Sequence, residues 1–332
     1  MTEYPDHSDR ATDQVPIPGR EEVLAAGSRL RGLIRWTPVL ELSGDELGVP
    51  GKVVLKLELL QHVGVFKARG ALNTLLSVPV PDDGVVAASG GNHGAAVAWA
   101  AAQLGVPARI FVPGTSPKLK VDRIASSGAE VVIVAGYYSE ALVASQKWAA
   151  DRDVLQVHAY DMAAVVAGQA TLGLELLDQV QAGATVLVSC GGGGLYAGTA
   201  LGVGDAGRVV PVEPERCPTL HAALAHGGPV RVEVGGVAAD SMGAAMAGEI
   251  AYAVARRRGA SSILVPDDAI VTARAFLWER CRVLAEPGGA TAFAALLSGA
   301  YRPQPNATTV VVVSGGNHPD IPAPSLSEGR GG

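Results

Sequence analysis

Lys67 stands in the run Gly64-Val65-Phe66-Lys67-Ala68-Arg69-Gly70-Ala71, between a bulky apolar pair and small residues. A lysine held in apolar surroundings has a lowered pKa and a nucleophilic amine. That reactivity suits Schiff-base formation with an aldehyde. The bland alternative is a solvent-facing lysine that happens to follow Phe66. Three more segments weigh against it: Ser89-Gly90-Gly91-Asn92-His93-Gly94, Gly191-Gly192-Gly193-Gly194-Leu195, and Ser314-Gly315-Gly316-Asn317.

Each segment follows an apolar strand pattern, and ligand sites of open α/β sheets lie at the carboxyl ends of strands. The first opens a helix at about Ala95. Its glycines expose backbone amides where a helix N-terminus favours an anion, so a carboxylate or phosphate would suit it. The glycine tetrad is costly in chain entropy for a mere connection. A nest of amides around a phosphate explains it better. No Gly-Lys-Ser/Thr follows, and the order Gly-x-Gly-x-x-Gly with a later acidic residue is missing. A Walker loop and a dinucleotide site are therefore disfavoured. Ser314 could present a hydroxyl to a ring nitrogen.

The elements that must position these loops read as strands alternating with alanine-rich helices, the pattern of parallel sheets covered on both faces. A first strand is expected at 53–57, others at 85–88, 108–112, 130–134, 155–157, 185–188, 208–212 and 309–313. Helices are expected at 95–104, 118–127, 139–150, 163–181, 269–284 and 286–297. The chain has 332 residues, 48% of them hydrophobic and only 5% aromatic, which suits two lobes. Net charge is −6 and no long basic run occurs, so nucleic acid is not an expected partner. No uncharged apolar segment is long enough for a membrane span. Residues 1–19 are polar and proline-containing and read as a disordered tail without a signal peptide. Cys190, Cys217 and Cys281 lack metal spacing and fit reduced thiols of a cytoplasmic protein.

The four signals together resemble the fold-type II pyridoxal-phosphate enzymes, which are tryptophan synthase β-like. Within them, the chain looks like the serine/threonine dehydratase and serine racemase family. The resemblance runs from about Pro38 to Asp320 and includes Lys56-Leu57-Glu58, Gly168-Gln169, Val212-Glu213-Pro214 and Glu286-Pro287. It implies two α/β domains, each an open, mostly parallel twisted sheet flanked by helices. The large pyridoxal-phosphate domain would comprise residues 20–78 plus 160–322, and the small domain residues 79–159. Residues 323–332 would form a flexible tail. A homodimer acting on a small amino acid is implied as well.

By the same resemblance, Lys67 joins pyridoxal 5'-phosphate as a Schiff base and moves the α-proton, while Phe66 packs near the ring. Asn92 would bond the ring's 3-hydroxyl, and Ser89, Gly90, Gly91, Asn92 and His93 would bind the substrate carboxylate. Gly191, Gly192, Gly193, Gly194 and Leu195 would hold the phosphate. Ser314 would face the ring nitrogen, with Gly236 and Glu286 nearby. A neutral hydroxyl does not enforce a protonated ring, so the ring is a weaker electron sink. That favours β-elimination: a serine- or threonine-like β-hydroxy amino acid passes through an aminoacrylate to a 2-oxo acid and ammonia. The alternatives are β-replacement, in which a nucleophile traps the same aminoacrylate, and racemisation.

Three positions depart from the family. Val65 stands where serine is usual, which makes the wall beside the lysine apolar and bulkier. Gly90 stands where racemases carry a second serine as the opposite-face acid, so racemisation is disfavoured. The family's cation site usually has a second carboxylate about six residues after the one at Glu213, and here that residue is Thr219. A divalent or monovalent cation at Glu213 is correspondingly less secure.

Overall fold

The computed structural model describes residues 15–322. Ten strands build two sheets: β1 (Val39–Ser43), β2 (Lys52–Lys56), β3 (Val85–Ala88), β4 (Ala108–Pro113), β5 (Glu130–Val134), β6 (Leu155–Gln156), β7 (Thr185–Ser189), β8 (Arg208–Pro214), β9 (Ile263–Val265) and β10 (Thr308–Val312). The larger sheet has the order β1-β2-β10-β7-β8-β9, and the smaller β5-β4-β3-β6. Every pairing is parallel except that of β1 with β2. The central strands read as unbroken apolar runs because helices cover both faces of their sheets. Val53, Leu55, Leu187 and Val311 face one apolar layer of the larger sheet, while Val54, Val186, Val188 and Val310 face another.

Besides β9 and several helices outside the expected set, such as Arg20–Leu30, Lys67–Ser77 and Glu249–Arg258, three further differences separate sequence expectation from structure. An edge strand, β1, precedes the expected first strand. Three of its five residues are half-buried and two, Glu41 and Ser43, are exposed, and a capped turn ends it at once: Ser43 accepts from Asp45 N and Glu46 accepts from Ser43 N. Such a short, weakly apolar run carries little periodic signal. The helix expected from Ala95 begins at Asn92, so Asn92, His93 and Gly94 form its first turn. The third concerns the tail. Val15 and Ile17 pack on the cluster around Tyr196 and Tyr252, and Pro18 is buried, so the ordered chain begins before residue 20. Residues 1–14 and 323–332 lie outside the described residues.

The helix that follows Phe66, Lys67–Ser77, is held against helix Ala163–Gln179 by contacts too close for larger side chains. A Cβ on Gly70 would lie 2.9 Å from Val165 O, and one on Gly168 would lie 2.6 Å from Arg69 O. A buried quartet of charges fixes the same helix. Arg69 grips Glu58 with Nε at 2.8 Å and Nη2 at 2.7 Å, and Nη2 also reaches Glu175 at 2.8 Å. Lys56 donates to Glu175 at 2.5 Å, and the Thr37 hydroxyl donates to Glu58 at 2.5 Å. Two cations face two carboxylates, which is the condition for tolerable burial. Burial pushes the Glu58 carboxyl up, but Arg69, Lys56 and Thr37 outweigh it and hold the group below its usual range.

Among the described residues, no helix is long and apolar enough to cross a membrane.

Candidate active site

The loop before Lys67 is stitched to the loop after β10. Phe66 N donates to Ser314 O at 3.1 Å, Gly316 N donates to Gly64 O at 3.0 Å, and Val65 bridges Gly315. Gly64 has a φ of 73°, and a side chain there would strike Asn317, so glycine is required. This stitching turns Lys67 inward, with Nζ 4.8 Å from the Phe66 ring centroid. Burial depresses its pKa from 10.5 to about 8, an effect that nearby Glu286 partly offsets. The amine is thus far more available as a neutral nucleophile than a surface lysine.

The first turn of helix Asn92–Leu104, which packs on the smaller sheet, reaches the same place. Asn92 Nδ2 donates to Glu286 Oε1 at 2.7 Å, and Asn92 Oδ1 accepts from Asn317 Nδ2 at 2.8 Å. Asn317 also donates to Val63 O at 2.8 Å. These bonds bring Asn92, Glu286 and the loops at Gly64 and Ser314 into one cluster. Burial pushes the Glu286 carboxyl up to about 7, and Lys120, Asn92 and Lys67 restrain the rise. Lys120 is also ion-paired with Asp240, a second tie between the parts built around the two sheets.

Ser89 Oγ accepts from Gly91 N at 3.2 Å, which shapes the loop between β3 and helix Asn92–Leu104. His93 Nε2 lies 2.9 Å from Val157 O. A proton on that nitrogen satisfies both atoms. Burial, with Lys67 adding to it, holds the His93 pKa down to about 3. The imidazole is neutral and serves to shape the loop. Gly90 has no room for a side chain, because the Ser116 hydroxyl occupies the place a Cβ would take.

The glycine tetrad links β7 to helix Gly194–Val203. Each glycine is closely packed on its Cβ side. A Cβ on Gly192 would lie 2.3 Å from the Tyr160 ring, one on Gly193 would lie 2.3 Å from Ala251 Cβ, and one on Gly194 would lie 2.7 Å from Tyr160 O. Gly191 meets Met242 in the same way, at 3.0 Å. Gly193 also has a φ of 89°. The bare backbone leaves amides at a helix N-terminus, a cradle whose chemistry fits a phosphate. Leu195 is buried behind it. Ser314 is buried with its hydroxyl 3.4 Å from Gly288 O, a neutral group suited to a pyridine nitrogen. A half-buried amine of lowered pKa, an anion cradle and a neutral hydroxyl are a donor set that fits a pyridoxal phosphate.

Gly236 has a φ of 78°, and a side chain there would meet the Asp267 carboxylate at 2.5 Å. Glu213 does not fit a cation. Among the described residues no group of three or more His, Cys, Asp or Glu side chains could hold a metal. Its carboxylate is instead surrounded by hydrogen-bond donors, and burial raises it to about 7. Tyr160, Met242 and Asn317 escaped sequence reasoning. Only Asn317 carried a signal, as the last residue of the Ser-Gly-Gly-Asn loop.

The lowered lysine pKa has a measurable consequence. In protein stripped of cofactor, the rate of pyridoxal phosphate capture is expected to rise with pH and level off above about 8, where the free amine predominates. Stopped-flow absorbance across pH measures this. A rate that keeps climbing toward 10.5 would show a solvated Lys67.

Comparison with known proteins agrees with this geometry. Residues 30–315 match the family described as pyridoxal-phosphate dependent enzyme. An L-threonine ammonia-lyase of Geobacter sulfurreducens is 37% identical over 88% of this chain and 74% of its own length. A phenylserine dehydratase of Ralstonia pickettii is 36% identical, covering 86% of this chain and 89% of its own. The crystal structure of a T.th. threonine deaminase superposes with a TM-score of 0.84 at 34% identity, covering 92% of this chain and 100% of that one. The chain belongs to the family of pyridoxal-phosphate dependent enzymes.

Proposed function

We propose that the protein is a lyase that converts a β-hydroxy-α-amino acid with an apolar β-substituent into the 2-oxo acid and ammonia. The Lys67 amine, half-buried and with its pKa lowered to about 8, carries the reading, and relatives named L-threonine ammonia-lyase and phenylserine dehydratase support the reaction type. Residues 20–78 plus 160–322 would hold the cofactor, and residues 79–159 would close over the substrate. Bound pyridoxal phosphate would supply an aldehyde for the substrate's amine and a ring that draws electrons from Cα.

The protein's own groups do the rest. The Ser89–Asn92 loop fixes the substrate carboxylate through amides and the Ser89 hydroxyl. Lys67, uncharged once freed, removes the α-proton, and the β-hydroxyl leaves as water. Net balance is simple: the water lost from Cα and Cβ is regained when nitrogen departs, so amino acid yields oxo acid plus ammonium. Ser314 would offer a bound ring nitrogen a neutral hydroxyl in place of a carboxylate, chemistry that suits prompt loss of the leaving group. Gly90 offers no acid on the opposite face, so stereochemical inversion is not part of this reading.

Val65 sets the substrate preference. It is buried, and its side chain lies beside Gly315, which in turn faces Glu286. An apolar wall there excludes water from the reacting carbons and suits a hydrocarbon neighbour. The holoenzyme should release oxo acid and ammonia in equal amounts from 3-phenylserine and threonine, and slowly from serine. Val65→Ser is expected to raise kcat/KM for serine relative to phenylserine by about tenfold, the scale of one changed apolar contact. Product that appears only with an added thiol or amine would replace elimination by β-replacement.

A further inference from the structure

At the end of β8, Glu213 collects hydrogen-bond partners from two segments. Leu220 N reaches Oε1 at 2.7 Å, and His221 N reaches Oε2 at 2.8 Å, both from helix Thr219–His226. The Ser262 hydroxyl, just before β9, donates to Oε2. Thr219 Oγ1 lies 3.3 Å from Oε1 and bonds more closely to the carbonyl of Gly191, the first residue of the tetrad. A carboxyl group offers about four hydrogen-bonding directions, and here two amides and the Ser262 hydroxyl donate along three of them while the fourth meets the Thr219 oxygen. The two amides belong to the positive end of a helix, the wrong sign for a cation. Glu213 and Thr219 are both fully buried.

We propose that Glu213, Thr219 and Ser262 form a cation-free strut for the glycine loop, in which Thr219 is the positioning residue that ties Gly191 to Glu213. The holoenzyme then needs no divalent or monovalent cation. The inference rests on the reading that Gly191–Gly194 hold the cofactor phosphate. The Thr219 hydroxyl carries the connection because its hydrogen serves the Gly191 carbonyl while its oxygen accepts from the Glu213 carboxyl, which burial keeps protonated more readily than usual. The loop amides are thereby held in place from behind, where a side chain on any of the glycines would push them apart.

The test uses holoenzyme treated with a chelator and dialysed into metal-free buffer. Adding Mg²⁺, Ca²⁺ or K⁺ should leave melting temperature and the rate of cofactor release unchanged. A shift in either on adding one cation overturns the proposal. Thr219→Val should release cofactor about tenfold faster, the loss expected for one hydrogen bond, at an unchanged bound-cofactor spectrum. Thr219→Ser, which keeps the hydroxyl, should restore the slow release. Release from Thr219→Val at the parent rate overturns the positioning role, as does a Ser variant no better than Val. Failure of the underlying reading shows separately: a Gly193→Ala holoenzyme that keeps cofactor as tightly as the parent would remove the phosphate cradle and the strut with it.

Discussion

Lys67→Ala is expected to lower turnover by about 10⁴-fold or more, because in the proposed function the side chain both captures the cofactor and moves the α-proton. The fold should survive the change. At neutral pH the parent amine is charged in the unfolded chain and mostly charged in the folded one, where burial opposes it. The folded pKa of about 8 lies below the ordinary 10.5, so the unfolded chain binds more protons between those values. Stability of the cofactor-free parent should therefore rise with pH across that window, and the alanine variant should lack the rise. Borohydride reduction followed by peptide mass analysis should label Lys67 in the parent and nothing at position 67 in the variant. Turnover within tenfold of the parent would remove Lys67 from the chemistry.

The chemistry was legible in the sequence because it is carried by unusual local compositions. Four consecutive glycines, and a lone lysine after Val65-Phe66, depart from what loops and helices need for stability alone. The strands were legible for a similar reason, since β7 and β10 are β-branched runs with a buried side on each face. The supports of the site were not. Glu58, Arg69 and Glu175 have the residue types of an exposed helix face, and only the packing of β2 against helices Lys67–Ser77 and Ala163–Gln179 shows that they meet. Tyr160 and Met242 back the tetrad from distant segments, and no local pattern marks them. Thr219 looked like a lost ligand from its position alone. In the structure it is an installed hydrogen-bond donor, a difference that depends on the Gly191 carbonyl lying within its reach.

Arg69→Met should destabilise the protein by about 3–5 kcal/mol, the range for removing one partner of a buried ion pair. Methionine fills much of the volume and spares the apolar stem contacts, so the loss isolates charge from packing. Glu58 and Glu175 would then share only Lys56, whose own pKa burial already lowers. Glu58 would take up a proton to escape an uncompensated charge. In the parent its folded pKa is depressed, so its pairing stabilises at neutral pH and is lost as pH falls through that folded value. In the variant the folded pKa would lie above the unfolded one. Stability would then be retained in acid and lost as pH rises, the opposite slope. Denaturant titrations at several pH values read both effects. The variant should also turn over more slowly at saturating cofactor, because Arg69 lies in the first turn of the helix that Lys67 begins. A variant that unfolds at the parent midpoint throughout would mean that the close packing of Gly70 against helix Ala163–Gln179 holds this helix without the quartet.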